Sequence, residues 1–345
     1  MQFRIKSKHL WIGLGVGSAV GAACLYASRA TARYLMRLAL DREAPPRIVE
    51  QKSRIRGMDY GEEAERMLSE AADRLEARRP RRVEIVSSDG IRLVGHWLPC
   101  LHPQRVIVAM HGWRSSWSRD FGPIADFWLN NGCSILFAEQ RGQNNSEGDS
   151  IGFGLLERHD CRDWIRWADR EVGGTLPIYP AGISMGATTV LMASGLELPR
   201  QVRGIIADCG FTSPRDIWKH VVEHHFHMPY GLYASTADDL CKKRLHVGAG
   251  EYSATDALKS CTVPVLFIHG TDDSFVPVEM TYENYKSCAA PKRLFVVPGA
   301  NHGMSYCLDK EGYERNTLEF WAEAEHEAPK STQEETAVPA APTAW

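Results

Sequence analysis

From residue 83 onward, short apolar runs rich in β-branched residues recur along the chain, separated by stretches with helical spacing. Val83–Val86 and Ile91–Leu98 flank Ser87-Ser88-Asp89-Gly90, and an Asp-Gly turn between two such segments predicts an antiparallel hairpin. Six further runs follow: Val106–Ala109, Ser134–Phe137, Ile178–Ala181, Val202–Ile206, Val263–Ile268 and Leu294–Val297. Helical patterns lie between them, as in Glu157–Val172 and Met185–Leu198. Continuous apolar strands alternating with helices predict an α/β fold: a mostly parallel eight-stranded sheet with helices on both faces. Chemistry in such sheets gathers in the loops at the carboxyl ends of the strands, so the polar residues that follow each strand are the candidates.

The ends of the chain differ from this core. Arg4, Lys6 and Lys8 precede an uncharged apolar run, Leu10–Ala27, and Arg29, Arg33 and Arg37 follow it. The run is just long enough to span a bilayer as a helix, which predicts an N-terminal single-pass membrane anchor within residues 1–45. A cleaved signal peptide is the competing reading. Gly13, Gly17 and Gly21 form a small-xxx-small stripe through which two copies could pair as a homodimer. Basic residues flank both sides, so the positive-inside rule gives no orientation. Residues 46–82 read as a linker holding an amphipathic helix within Met58–Arg79, and residues 83–326 as the globular domain. Residues 327–345, rich in Pro, Ala, Thr and Glu, read as a disordered tail. With every candidate residue beyond Val83, removal of the residues before Arg47 is expected to leave a soluble, active protein.

Composition narrows the picture in two respects. Across 345 residues, 40 Lys and Arg against 43 Asp and Glu leave a net charge of −3, which argues against a nucleic-acid partner bound through bulk basic charge. Nine cysteines, with no CxxC pair, fit neither a disulfide framework nor a structural zinc site.

The strand Ile178–Ala181 runs into Gly182-Ile183-Ser184-Met185-Gly186 and then a helix. G-x-S-x-G in a strand–turn–helix context presents a serine on a sharp turn above a sheet, with small neighbours letting strand and helix close up. A hydroxyl needs a positioned general base to attack at neutral pH. Leu294–Val297 ends in a loop carrying His302, and Val263–Ile268 ends in His269-Gly270-Thr271-Asp272-Asp273. An acid there would fix the tautomer of the imidazole and stabilise its charged form. Asp272, Asp273 and Asp208, which follows Val202–Ile206, are the candidate acids. Two backbone donors for an oxyanion are expected from Met185, after the serine, and from Trp113 in His111-Gly112-Trp113. His220-Val221-Val222-Glu223-His224 formally matches an H-x-x-E-H metal motif, yet it falls between two strands and is read as part of a lid helix, with no metal and no cofactor expected.

Residues from about Val83 to Trp321 resemble α/β-hydrolase-fold serine hydrolases, and more narrowly the membrane-anchored bacterial hydrolases allied to the serine aminopeptidase and prolyl-oligopeptidase-like groups. The resemblance rests on Ser88-Asp89-Gly90, His111-Gly112-Trp113, Gln140-Arg141-Gly142, Gly182–Gly186, Asp208 to Ser213, His269-Gly270 to Val276-Pro277, and Gly299 to His302. It implies a Ser184–His302–Asp273 triad, placing the acid three residues after Gly270. The sequence departs from the pattern at Gln143, where relatives often carry histidine, and at Glu139, where many carry aspartate.

Ser213–Ser260 is the long insertion between strands and is expected to form a small helical lid. Its aromatic residues, with those after the Trp113 loop, suggest an apolar mouth lined by Trp117, Phe121, Phe211, Phe226 and Met228. Such a mouth suits a small-molecule acyl or aryl ester, cleaved through an acyl-enzyme as by a carboxylesterase. A serine peptidase or aminopeptidase on the same triad is the alternative, with Glu223, Asp238 and Asp239 available to hold an amine. A membrane-tethered interaction protein without catalysis is the alternative from another class.

Overall fold

The computed structural model describes residues 26–43 and 60–326. The apolar run and glycine stripe before residue 26, and the tail after residue 326, lie outside the described residues; among the described residues no helix is long and apolar enough to cross a membrane.

Eight strands form one sheet in the order β1-β2-β4-β3-β5-β6-β7-β8. β1 (Arg81–Val86) and β2 (Arg92–Leu98) make the expected hairpin, and β2 pairs antiparallel with β4 (Cys133–Ala138). From β4 the sheet is parallel through β3 (Arg105–Met110), β5 (Ile178–Ile183), β6 (Ile205–Asp208), β7 (Val265–Gly270) and β8 (Lys292–Val297). The period of two sorts side chains to opposite faces. Val106, Val108 and Met110 enter one apolar layer while Ile107 and Ala109 enter the other, which is why the strands read as apolar throughout.

Residues 26–40 form helix α1, followed by α2 (Gly61–Ala77), α3 (Trp117–Phe121), α4 (Ala125–Asn130), α5 (Glu157–Glu171) and α6 (Met185–Ala193). The insertion holds α7 (Pro214–His220), a π-helical turn (Val221–His225), α8 (Ala234–Leu245) and α9 (Ala254–Lys259). The domain ends with α10 (Val278–Ser287), α11 (Ser305–Leu308) and α12 (Lys310–His326). α9 is no part of the lid: Ala254 and Leu258 are buried in the layer beneath the sheet together with Val190 and Leu191 of α6. Two elements are shorter than the sequence pattern suggests. β6 starts at Ile205, leaving Val202 in an isolated bridge to Ile178. α6 stops at Ala193, where Gly195 lies so close to the Tyr252 hydroxyl that a Cβ would sit 2.3 Å from it.

The segments assigned above to a linker and an anchor flank are both parts of the globular domain. α2 buries Leu68, Ala71 and Leu75 along one face and docks on α3, with Ser118 Oγ donating to Glu76 at 2.6 Å and Arg119 paired to Glu65 at 2.7 Å. α1 buries Ala32, Met36 and Leu40, spaced by four, and turns Arg29, Arg33 and Arg37 to solvent. Its apolar stripe joins the cluster under the lid that also holds Phe211, Trp218 and Phe275. Cutting before Arg47 would therefore strip an apolar wall from the domain rather than a dispensable flank.

The α2–α3 contact is close enough to test. A Cβ on Gly122 would meet the Ala71 carbonyl carbon and the Ser118 oxygen, each at 2.6 Å, and both are backbone atoms that cannot swing aside. Gly122→Ala is expected to destabilise the protein by about 1–3 kcal/mol, the usual cost of forced overpacking, read as a lowered urea midpoint. An unchanged midpoint would mean that α2 is not docked.

Candidate active site

Ser184 lies between β5 and α6 with φ +56° and ψ −118°, a strained backbone conformation for a residue with a Cβ. The neighbouring glycines explain the turn. A Cβ on Gly182 would stand 2.2 Å from the Gly186 carbonyl group, and one on Gly186 only 1.8 Å from Met110 O of β3. Backbone therefore passes against backbone on both sides of the serine, and the Ser184 N–H is taken by Asp208 O at 2.8 Å.

β7 and β8 end beside this turn and supply the partners. His302 Nε2 lies 2.9 Å from Ser184 Oγ, and His302 Nδ1 lies 2.7 Å from Asp273 Oδ2. Asp273 Oδ1 accepts from the backbone N–H groups of Phe275 at 2.9 Å and Val276 at 2.8 Å. The two remaining candidate acids are elsewhere: Asp272 is exposed and accepts from Thr271 Oγ1, while Asp208 accepts from Ser305 Oγ at 3.1 Å.

A residue not foreseen as part of this network, His269, completes it. Its Nε2 reaches both Asp273 Oδ2 at 3.1 Å and Val276 O at 2.8 Å, two acceptors that fix the proton on that nitrogen, and its Nδ1 faces Thr281 Oγ1 at 2.7 Å. Nothing in the sequence separates this inward histidine from an ordinary strand residue; only its place at the end of β7 hints at it.

Burial and charge act against each other here. Burial disfavours the Asp273 carboxylate, but His302 and His269 outweigh it and hold the group well below the usual carboxylate range. Burial likewise disfavours charged His302, yet the Asp273 charge and hydrogen bond prevail and raise its pKa above the ordinary imidazole value. For Asp208 burial wins, pushing it up to about 6.

The His111-Gly112-Trp113 loop runs directly past the serine, since a Cβ on Gly112 would lie 3.4 Å from Ser184 Cβ. Asp120 accepts the Gly112 N–H at 2.7 Å, and Arg114 N donates to Gln143 Oε1 at 2.6 Å. Among the described residues the N–H groups of Trp113 and Met185 have no such acceptor.

Ser184 opens on two cavities of unlike chemistry. One of about 580 Å³ has mixed walls, with Tyr60, Glu65, Arg119 and Asp120 beside Leu68, Ile124 and Ile183. The other, about 70 Å³, is apolar and includes Phe211 and Phe226 in its lining. Trp117, Phe121 and Met228 line neither. Trp117 stacks on His96 and Phe121 packs on Trp128 and Phe137 in the layer on one face of the sheet, because α3 turns these rings down onto β4. Met228 is held inside the lid against the Tyr233 hydroxyl. The histidines of His220–His224 do lie on the lid, with His220 and His224 stacked at 4.3 Å. His220 Nε2 and His225 Nε2 both face Ser274 O, at 3.5 and 3.1 Å, and His224 Nδ1 faces His220 O at 3.2 Å, so each of these nitrogens is directed at a backbone carbonyl. Among the described residues Cys209, Asp273 and His302 alone bring metal-ligand atoms together, and the last two are already engaged with each other.

Known proteins share the fold of this chain. An esterase of Pyrococcus furiosus matches with a TM-score of 0.59 at 21% identity, covering 72% of this chain and 93% of that one. An acylaminoacyl peptidase of Pyrococcus horikoshii matches at 0.54 and 18% identity, over 74% of this chain and 42% of that chain. The uncharacterized protein YqkD of Bacillus subtilis is 28% identical over 193 residues, 56% of this chain; the match spans 63% of that protein's length. Residues 154–327, half of the chain, match the prolyl oligopeptidase family. The protein has the α/β-hydrolase fold and belongs to the prolyl oligopeptidase family.

Proposed function

We propose that the protein hydrolyses carboxylic esters through an acyl-enzyme, with Ser184 as nucleophile, His302 as general base and Asp273 as its orienting acid. The unbroken chain of contacts from Ser184 Oγ through His302 to Asp273 carries the reading. Ser184 Oγ bonds to the ester carbonyl carbon while His302 Nε2 takes the hydroxyl proton. The carbonyl oxygen, now an oxyanion, accepts from the N–H groups of Trp113 and Met185. Collapse breaks the bond to the alcohol, which leaves with the proton held by His302. A water activated by the same imidazole then releases the acid and restores Ser184.

Two features favour an ester over an N-terminal peptide. The small cavity beside Ser184 is apolar and suits an acyl group. Glu223, Asp238 and Asp239 line neither cavity, and Asp238 is already taken by Ala249 N and Lys242. The three carboxylates of the larger cavity are engaged as well, Glu65 by Arg119, Asp120 by Gly112 N and Ser115 Oγ, and Asp208 by Ser305 Oγ. A serine peptidase on the same residues is the second reading, favoured by the volume of the larger cavity, about 580 Å³. A panel of p-nitrophenyl esters and aminoacyl anilides separates the two: faster turnover of anilides would replace the ester reading.

Ser184→Ala is expected to cut ester hydrolysis by at least about 10⁴-fold with the fold intact by circular dichroism. Undiminished turnover would reduce the motif to a turn and favour an interaction protein.

The pH profile is the third expectation. Only neutral His302 can accept the serine proton, so kcat/KM should rise with pH through a midpoint above about 6.5, the ordinary imidazole value. Asp273→Asn removes the charge that raises this pKa. It should move the acid limb to lower pH and reduce kcat by about 10⁴-fold. A limb that stays in place would show that another group controls it.

A further inference from the structure

α1 ends in a way that ties it to the catalytic loops. The last carbonyls of a helix have no partner within the helix. Here Leu38 O and Asp41 O accept from the Arg114 guanidinium at 3.0 and 2.5 Å, and Ala39 O accepts from the Trp113 indole N–H at 3.0 Å. Leu40 O accepts from Ile151 N at 2.7 Å. Arg42 continues the clasp by donating to Ser146 O and Asn144 O, and Asp41 pairs with Arg244 of the lid helix α8. Donors from three separate segments thus converge on one helix end, and two of them belong to the loop that carries the Trp113 N–H.

The other end of this arrangement is the apolar cavity beside Ser184. Phe211 and Phe275 form its floor side, and Trp218 and Phe226 its lid side. Its remaining wall is α1, through Ala32, Leu35, Met36 and Ala39. At about 70 Å³ the cavity is roughly half the size of one that accepts the six carbons of benzene, which corresponds to about three carbons.

We propose that this cavity is the acyl-binding slot and that α1 closes it, with Ala32 and Met36 limiting the enzyme to short straight-chain acyl groups. The proposal rests on the ester reading above, and it makes α1 a determinant of specificity. Acyl chains longer than about four carbons meet the α1 side chains unless the helix shifts, and the clasp at its C-terminal end resists that shift.

The test compares p-nitrophenyl acetate, butanoate and octanoate, with ethyl and octyl fluorophosphonates as single-turnover probes of Ser184 read by intact mass. Met36→Ala opens the wall and should raise the octanoyl-to-acetyl ratio of kcat/KM by about tenfold or more, the range that one or two methylenes command in an apolar pocket. Ala32→Leu fills the slot and should lower the butanoyl-to-acetyl ratio by a similar factor. The octyl-to-ethyl labelling ratio should rise for Met36→Ala and fall for Ala32→Leu. Arg33→Ala, on the solvent face of the same helix, should leave every ratio within about twofold. If Ser184 is labelled but neither substitution moves these ratios, the slot assignment is wrong while the hydrolase reading stands. If the parent neither turns over esters nor takes up a probe, the hydrolase reading fails and takes the proposal with it. Should Ala32→Leu not fold, Met36→Ala decides alone.

Discussion

The architecture of the site depends on the approach of α6 to β3, where Gly186 lies against Met110 O with no room for a side-chain carbon. That approach makes the chain reverse within one residue, and Ser184 adopts a positive φ to do so, at a cost on the order of 1–3 kcal/mol. The cost is offset locally, since Ser184 N donates to Asp208 O, Ser184 O accepts from Thr188 N, and α6 beyond the turn is buried throughout. In return the hydroxyl stands at the carboxyl edge of the sheet. The neighbouring parallel strands all end at that edge, so loops after β7 and β8 bring Asp273 and His302 to it without further distortion.

Two buried carboxylates near this edge behave oppositely, and their partners say why. Asp273 receives two backbone N–H groups and two imidazoles, enough to keep it ionised in spite of burial. Asp208 has Ser305 Oγ and the Tyr313 hydroxyl, and burial lifts it to about 6. The difference matters to His302, whose charged form is matched by the close carboxylate at 2.7 Å, while the second carboxylate adds a weaker pull from further away. Pairs of titratable groups driven apart by their surroundings are a common mark of acid–base sites.

The parts of this site that were legible in the sequence are those fixed by chain order. A strand, a glycine-flanked serine and a helix can fold in few ways, and once the sheet is parallel, residues after successive strands must share an edge. Side-chain direction in short helices was not legible. Trp117 and Phe121 lie four apart on α3, and that spacing says they share a face without saying that the face is the sheet rather than the site. His269 was hidden for a similar reason, because a fully buried strand has no polar face to mark an exception. The boundary of the domain was misplaced for a different reason. Ala32, Met36 and Leu40 follow an uninterrupted apolar run, so their amphipathic period is masked by the hydropathy before it.

That masked period bears on how substrate access and catalysis are joined. Lifting α1 would expose an apolar wall and also leave Leu38, Ala39, Leu40 and Asp41 carbonyls and the Arg114 guanidinium to find new partners. Each hydrogen bond contributes only about 1 kcal/mol net, but they break together, because one rigid helix carries all the acceptors. The same movement would free the indole of Trp113, whose ring packs on Phe153 in the wall of the apolar cavity while the Gly112 backbone just before it runs past Ser184. The proposed acyl slot and oxyanion loop are thus held by one set of contacts. A change that widens the slot by displacing α1 acts on the loop as well, whereas a change confined to the Met36 side chain widens it with the clasp intact.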